Sequence, residues 1–301
     1  MRVVVNTPAG NIGRVVTDRL LSAGQAVTVI SRHRDKVSSF IERGAHWVPG
    51  SIDDPVVLDD AFKDADALFW LTPFAFDQPD YLNWARRAGR DAASAAQRHG
   101  VKRVVLISSV GAQHASGVGP IACLPAIEAA FNAAVADVTC LRAGTFMENF
   151  FNNVGSIAAS NCIFGPHPAA RTVPFVATRD IAHKAAEVVL DSSARGHRIL
   201  GVHGPEDLDH TQAARIIGEG IGRPVKYVEV TVDQAKDGMS QAGMPRFAVD
   251  LLADMYTGFR EGRMTQAEPR TRDTTSPTSL LEFSRLVLRP MVEAASAGQR
   301  R

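Results

Sequence analysis

The sequence predicts a doubly wound α/β fold on a parallel sheet, and three observations carry that prediction. Short apolar runs, at residues 3–5, 26–31, 67–71, 104–107 and 138–141, alternate with stretches of helical periodicity. The run ALFWL at 67–71 is continuously apolar, as suits a strand buried on both faces. The first run passes through a turn of small residues straight into a helix, and strand, turn and helix in that order open many nucleotide-binding units.

That first unit is MRVVVNTPAGNIG, residues 1–13. Its β-branched run reads as a strand, and residues 14–21 then carry apolar side chains at helical spacing, with Gly24 as the stop. The helix N-terminus offers free N–H groups and a positive dipole end to a pyrophosphate. Gly10 admits phosphate close to the backbone, and Gly13 lets helix and strand touch. Thr7 stands where the dinucleotide fingerprint has its first glycine, followed by Pro8, Ala9, Gly10, Asn11, Ile12 and Gly13. An ordinary tight connection is the alternative. The position of the turn, the strand before it and the helix after it favour the cofactor.

The second strand, AVTVIS, runs into Ser31-Arg32-His33-Arg34-Asp35-Lys36. An acid at this strand end would bind the ribose 2′-hydroxyl of NAD. Three cations and a hydroxyl suit a 2′-phosphate instead, with Arg32 stacking on adenine while it pairs with the phosphate. The segment therefore predicts NADP(H) over NAD(H), against the alternative of a solvated basic turn. A third strand at 45–49 leads to GSIDDP, a loop that places Ile52 and Asp53 beside the adenine, although Asp53 or Asp54 equally suits the cap of a helix at 56–62. Leu71, Thr72, Pro73 and Phe74 leave the fourth strand at its carboxyl end, where ligands bind. A helix at 81–100 precedes the strand that ends in Ser108-Ser109-Val110, and 138–141 leads into RAGTFMENFF.

Beyond residue 150 the alternation loosens. Short strands are expected at 172–175, 199–202 and 225–230, with helices at 181–190, capped by Asp180, and from 208–211 to about 220–222. The amphipathic stretch 246–259 reads either as a lid or as a core-packing helix. Residues 268–279 read as a loop and 294–301 as a frayed end. The expected organisation is a cofactor-binding part at 1–150 with return segments near 172–203, and a smaller α/β substrate-binding part at 151–301 with a helical lid at 232–264.

Composition narrows the function. The chain of 301 residues is 45% hydrophobic and 22% charged, with a net charge of +1, which gives no electrostatic reason to expect nucleic acid or an acidic membrane. No stretch is apolar for long enough to span a bilayer, and the N-terminus has no signal-peptide pattern. Cys123, Cys140 and Cys162 lack metal-ligand spacing, so no metal is expected, and reduced thiols in a cytoplasm are the simple reading.

TPAGNIG, SRHRDK, GSIDDP, VKRVVLISSVGA, Ile127-Glu128 before a helix, TCLRAGTFMENF, VPFVATRDIA, GPEDLDHTQAARIIGEGIGRPVKYVEV and TSLLEF together resemble the NmrA-like branch of the atypical short-chain dehydrogenase/reductases, and RAGTFMEN is the most specific of them. The resemblance implies a Rossmann-like domain that holds NADP(H) and a smaller C-terminal part that closes over a substrate cleft. It implies that Thr7 and residues 10–13 take the pyrophosphate, and that Arg32 and Lys36 take the 2′-phosphate. Residues 71–73 and 108–110 line the ribose and nicotinamide, and Ala143, Gly144, Thr145 and Phe146 lie against the ring.

The wider superfamily protonates its carbonyl with a Tyr-x-x-x-Lys pair, which this chain lacks: its tyrosines are Tyr81, Tyr227 and Tyr256, and no lysine lies between Lys102 and Lys184. The resemblance thus implies one of two classes: a reductase of quinones, dyes or aromatic polyketide carbonyls, or a non-catalytic NADP(H) sensor whose output is a protein contact. An activated acceptor needs little help beyond a hydride donor held in a dry cleft. Ser109 is the candidate donor to the developing oxyanion, or else a capping serine. His114 is a candidate acid, or else a solvent-exposed loop histidine. Asn149 either orients a carbonyl or caps a helix. Glu128 is expected in a structural ion pair. Phe74, Phe76, Phe146, Phe150 and Phe151, with Met255, Tyr256 and Phe259 on the expected lid, suit a planar aromatic substrate or the core. The aromatic cleft, and the absence of an added tail or insertion for a partner, favour the NADPH-dependent reductase.

Overall fold

The computed structural model describes residues 1–298. The expected strands form one parallel sheet, in order along the chain β1 (Arg2–Val5), β2 (Ala26–Ser31), β3 (His46–Pro49), β4 (Ala67–Leu71), β5 (Arg103–Ser109), β6 (Asp137–Ala143) and β7 (His197–Val202). The main helices around it are α1 (Asn11–Ser22), α2 (Pro55–Phe62), α3 (Tyr81–Arg98), α4 (Leu124–Ala134) and α5 (Thr178–Leu190). The order in space is β7-β6-β5-β4-β1-β2-β3. Val3 lies opposite Val27 on one side and Ala67 on the other. The chain winds from β1 outward to β3, then returns to β4 on the other flank of β1. That reversal opens a crevice at the carboxyl ends of β1 and β4, where ligands bind in this architecture.

Burial explains the strands. Val3, Val4, Val5, Leu68, Phe69, Trp70, Val104, Val105 and Leu106 are fully buried, and Trp70 packs against Phe131 of α4 with ring centroids 5.8 Å apart. Long α3 presents an alanine-rich face, Ala85, Ala88, Ala92 and Ala96, which lets it pack close.

The chain forms two compact units. The first holds 1–115, 120–142 and 181–200, and the second holds 116–119, 143–180 and the described residues from 201 onward. The first unit thus ends at Arg142 rather than near 150, and its return segment is 181–200. Val173–Val176, expected among the return segments, belongs to the second unit, where it pairs with the short strands Asp207–Leu208 and Thr145–Phe146. A further parallel pair, Cys162–Gly165 with Lys226–Glu229, also lies there.

Several local expectations change. Asp180 does not cap its helix: α5 starts at Thr178, and the Asp180 carboxylate accepts from the backbone N–H (2.9 Å) and hydroxyl (2.8 Å) of Thr278. Glu148 accepts from the N–H of Thr178 instead. Ile127 and Glu128 lie inside α4, not before it. Residues 294–298 continue the helix Arg289–Gly298, while the remainder of the expected frayed end, 299–301, lies outside the described residues. Asp209 builds the cap of helix His210–Ile221 as a reciprocal box with Gln212, and Gly222 ends it in the left-handed conformation.

Candidate active site

The crevice is built from the first turn. Asn6 is fully buried, and its amide donates to the carbonyl of Leu71 and accepts from its N–H, both at 2.8 Å. One side chain thereby replaces the next rung of the ladder and fixes the ends of β1 and β4 together. Thr7 follows with φ 54°, the left-handed conformation that costs a residue with a Cβ about 1–2 kcal/mol. Threonine here adopts the backbone that the fingerprint gives to glycine. Its hydroxyl oxygen is buried without a hydrogen-bond partner among the described residues, a group free to donate to an acceptor. The Thr7 carbonyl accepts from Gly10 N–H at 3.1 Å, and a Cβ on Gly13 would come 2.2 Å from that oxygen. A Cβ on Gly10 would meet nothing closer than 3.5 Å, so the protein itself does not demand glycine there. Gly10 is the N-cap of α1 and supplies no side-chain cap, which leaves the helix N-terminus free for an anion. Pro8 and Ile12 are buried, whereas Ala9 and Asn11 are exposed.

At the end of β2 the basic residues part ways. The Ser31 hydroxyl donates to the carbonyl of His33 at 3.0 Å and accepts its N–H at 3.2 Å, so it shapes the turn. Arg34 lies over the ring of Trp47. Arg32 and Lys36 are exposed, and Arg32 sits 3.8 Å from Asp77. In the neighbouring loop Ile52 is buried and Asp54, not Asp53, caps α2 through Val56 N–H at 2.9 Å. Asp53 accepts the indole N–H of Trp84 at 2.7 Å. Burial raises its pKa, but hydrogen bonds from Ser51, Trp84 and its own backbone, with the charge of Arg32, outweigh that and hold it below the usual carboxylate value.

At the ends of β4 and β5 lie 71–74 and 108–110. The Thr72 hydroxyl accepts the indole N–H of Trp70 at 3.0 Å. Phe74 meets Phe76 and Tyr81 edge-on at 4.8 and 4.9 Å, and Phe76 is 51% exposed, an apolar ring left facing solvent. The two serines separate sharply. Ser108 is buried and donates to Glu128 at 2.6 Å, and Glu128 also accepts from Arg142 at 3.1 and 2.8 Å. This ion pair, buried on both sides, is the structural role expected of Glu128. The hydroxyl of Ser109 makes no hydrogen bond among the described residues, so Ser109 is not a cap. His114 is half-buried, and its ring has no hydrogen-bond partner among the described residues.

In the second unit, Ala143 and Gly144 are buried and Thr145 and Phe146 half-buried. Asn149 is exposed and caps nothing: its side chain makes no hydrogen bond among the described residues. Phe150 and Phe259, expected as substrate walls, are buried in that unit's own core, Phe150 against Phe175 and Phe259 against His167. The helix Arg246–Arg260 buries Ala248, Val249, Ala253 and Phe259, and its Asp254 accepts from Gly119 N–H at 2.9 Å. These contacts all lie within the second unit. Met255 and Tyr256 remain half-buried. Sequence reading did not anticipate the cluster beside them: His167 stacks on His210 at 4.8 Å, with Tyr256, Phe259 and Tyr227 around the two rings. Tyr227 donates to the carbonyls of Gly165 and His167, each at 2.8 Å. Burial pushes the phenols of Tyr81, Tyr227 and Tyr256 up.

A surface cavity of about 480 Å³ lined by Gln97, Lys102, Arg103, Asp137 and Arg195 lies where β5 and β6 begin, the edge opposite the crevice, and includes no candidate residue. Among the described residues no group of His, Cys, Asp and Glu could hold a metal ion, and no helix is long and apolar enough to cross a membrane.

Sheet order, crevice and first turn define a Rossmann-like protein. The chain belongs to the NmrA-like family, which matches residues 1–284. It is 27% identical over 254 residues, 84% of this chain and 86% of the relative, to an NAD(P)H azoreductase of Xenophilus azovorans. An NADPH-dependent quinone oxidoreductase from Escherichia coli, solved with NADPH, shares the fold with a TM-score of 0.81 at 20% identity, over 94% of this chain and 98% of that one. NmrA, a negative transcriptional regulator solved with NAD, does so at 0.77 and 16%, over 97% of each chain. At these identities the two solved structures show the fold alone.

Proposed function

We propose that the protein is an NADPH-dependent reductase of a bulky aromatic carbonyl or quinone, working in the cytoplasm with its three thiols reduced. The turn at residues 7–13 carries the reading: a left-handed Thr7 with a buried, unpartnered hydroxyl, an open Gly10 and a bare helix N-terminus fit a pyrophosphate. Arg32 and Lys36 would hold the 2′-phosphate, Ile52 and Asp53 the adenine side, and 71–73 and 108–110 the ribose and nicotinamide. When bound, NADPH supplies the hydride. Ser109, the one serine of its pair with a free hydroxyl, donates to the oxygen on which negative charge develops. Phe74 and Phe76 offer an aromatic wall to a planar acceptor. Tyr81 is buried and Tyr227 is committed to two backbone carbonyls; on this reading the half-buried Tyr256 stays out of the reaction, and the proton comes from the acceptor's own neighbouring hydroxyl or from water.

The likeness to the NAD(P)H azoreductase supports this reading. The regulator reading, a protein that binds the dinucleotide and reports it to a partner, draws on one observation, the missing Tyr-x-x-x-Lys pair. The deciding experiment mixes protein and NADPH with a panel of quinones and polycyclic hydroxyketones and compares NADPH consumed with acceptor reduced. One-for-one consumption is expected; tight NADPH binding without oxidation by any acceptor would favour the regulator.

A further inference from the structure

The ion pair between Arg32 and Asp77 has a particular place in the fold. Arg32 follows β2, and Asp77 lies on the loop that follows β4. In the sheet β1 stands between those strands, and neighbouring strands lie about 4.8 Å apart. A contact from the end of β2 to the loop after β4 must therefore span roughly 10 Å of sheet edge. It passes over the end of β1, where the turn with Thr7 and Gly10 stands. The two charges sit 3.8 Å apart and both side chains are 64% exposed. Nothing else in the first unit requires this bridge: neither side chain makes another ion pair or hydrogen bond among the described residues. Arg34 is engaged with Trp47, and Asp53, the other carboxylate near Arg32, is engaged with Trp84. Arg32 and Asp77 are thus paired with each other across the route that a dinucleotide would take.

Resting on the assignment of Arg32 to the 2′-phosphate, we propose that Asp77 is a specificity-determining residue, a counter-ion that competes with the 2′-phosphate for Arg32 and so tempers the preference for NADPH over NADH. A 2′-phosphate arriving at Arg32 displaces the Asp77 carboxylate, and the two anions repel. NADH brings a hydroxyl to the same place and leaves the pair intact. The chain therefore gives up part of its phosphate affinity in exchanging one partner of Arg32 for another. An exposed ion pair is worth up to about 1 kcal/mol, which sets the effect at about fivefold or less in affinity.

The test is a titration of the full chain with NADPH and with NADH, for the wild type, Asp77→Asn, Asp77→Glu, Arg32→Ala and the double variant Arg32→Ala/Asp77→Asn. Asp77→Asn is expected to tighten NADPH about three- to fivefold and to move NADH less than twofold. Asp77→Glu, which keeps the charge, should preserve the wild-type ratio. In the Arg32→Ala background the Asp77→Asn gain should vanish, since the competitor acts only through Arg32. If Arg32→Ala weakens NADPH selectively while Asp77→Asn leaves the NADPH-to-NADH ratio at its wild-type value, the competition is refuted and the phosphate assignment stands. If Arg32→Ala leaves that ratio unchanged, the phosphate assignment fails and the proposal falls with it.

Discussion

The carbonyl oxygen of Thr7 lies 2.2 Å from where a Cβ on Gly13 would stand. The obstacle is backbone, and it belongs to a turn already held in the left-handed conformation, so neither partner can yield without moving β1 or α1. Gly13→Val should therefore abolish NADPH binding and lower stability by more than the ~1–3 kcal/mol of ordinary overpacking. Circular dichroism and NADPH titration, run together, separate the two effects. A folded Gly13→Val protein with wild-type NADPH affinity would remove this turn from the site.

The buried pair Glu128–Arg142, with Ser108 as a third member, joins α4 to the carboxyl ends of β5 and β6. Removing one charge strands the other. Glu128→Ala should cost about 3–5 kcal/mol, read as a large fall in denaturation midpoint. Replacing both ion-pair partners by apolar residues of similar volume should cost far less, because no charge is left buried. Equal losses in the single and double variants would show that packing, not charge, holds this place.

How much of this was legible in the sequence follows the range of the interactions. Strand–turn–helix at 1–22, ALFWL and the helix entered at 208–211 are set by neighbours in the chain, and spacing reveals them. The clamp of Asn6 on Leu71, the capture of Thr278 by Asp180 and the Glu148 bond to Thr178 join residues far apart in sequence, where local periodicity carries no information. Ser108 and Ser109 are equivalent as letters. They separate only because strand alternation turns one toward Glu128 and leaves the other free. The ring contacts of Phe150 and Phe259 were hidden for the same reason: an aromatic residue reads alike whether its partner is a ligand or the Phe175 and His167 it meets. The backbone of Thr7 could have been anticipated, since the fingerprint's first glycine falls on it.

The histidine cluster predicts a pH dependence of stability. Burial, with repulsion from His210 and Arg260, lowers His167 to about 3, and burial lowers His210 to about 4. The unfolded chain titrates both near 6.5. Above that pH neither state is protonated and the full stability is present. As pH falls below about 6.5 the unfolded chain takes up protons that the folded one refuses, so stability declines until the folded rings themselves titrate. Each ring contributes up to about 1.4 kcal/mol per pH unit across that window. Between pH 6.5 and 4.5, above most carboxylate titrations, the melting temperature of the wild type should fall measurably. His210→Phe should flatten that slope. A slope unchanged in His210→Phe would show that His210 does not contribute to it.

Ser109 carries the oxyanion assignment. Ser109→Ala should lower turnover by up to ~10²–10³-fold if the hydroxyl is aimed at the developing charge, with NADPH affinity little changed. Ser108→Ala should instead act on stability, through the stranded Glu128. Full turnover in Ser109→Ala would place the oxyanion elsewhere.

The central claim is hydride transfer without a tyrosine acid, and Tyr256→Phe tests it most directly, because Tyr227 is committed to two carbonyls and Tyr81 is buried at the base of the aromatic loop. Measured at saturating NADPH with an acceptor that the wild type reduces, Tyr256→Phe should turn over within about tenfold of wild type, roughly 1.4 kcal/mol in barrier. A loss of a thousandfold in a variant that keeps its fold and its NADPH affinity would contradict the claim and make Tyr256 the missing proton donor.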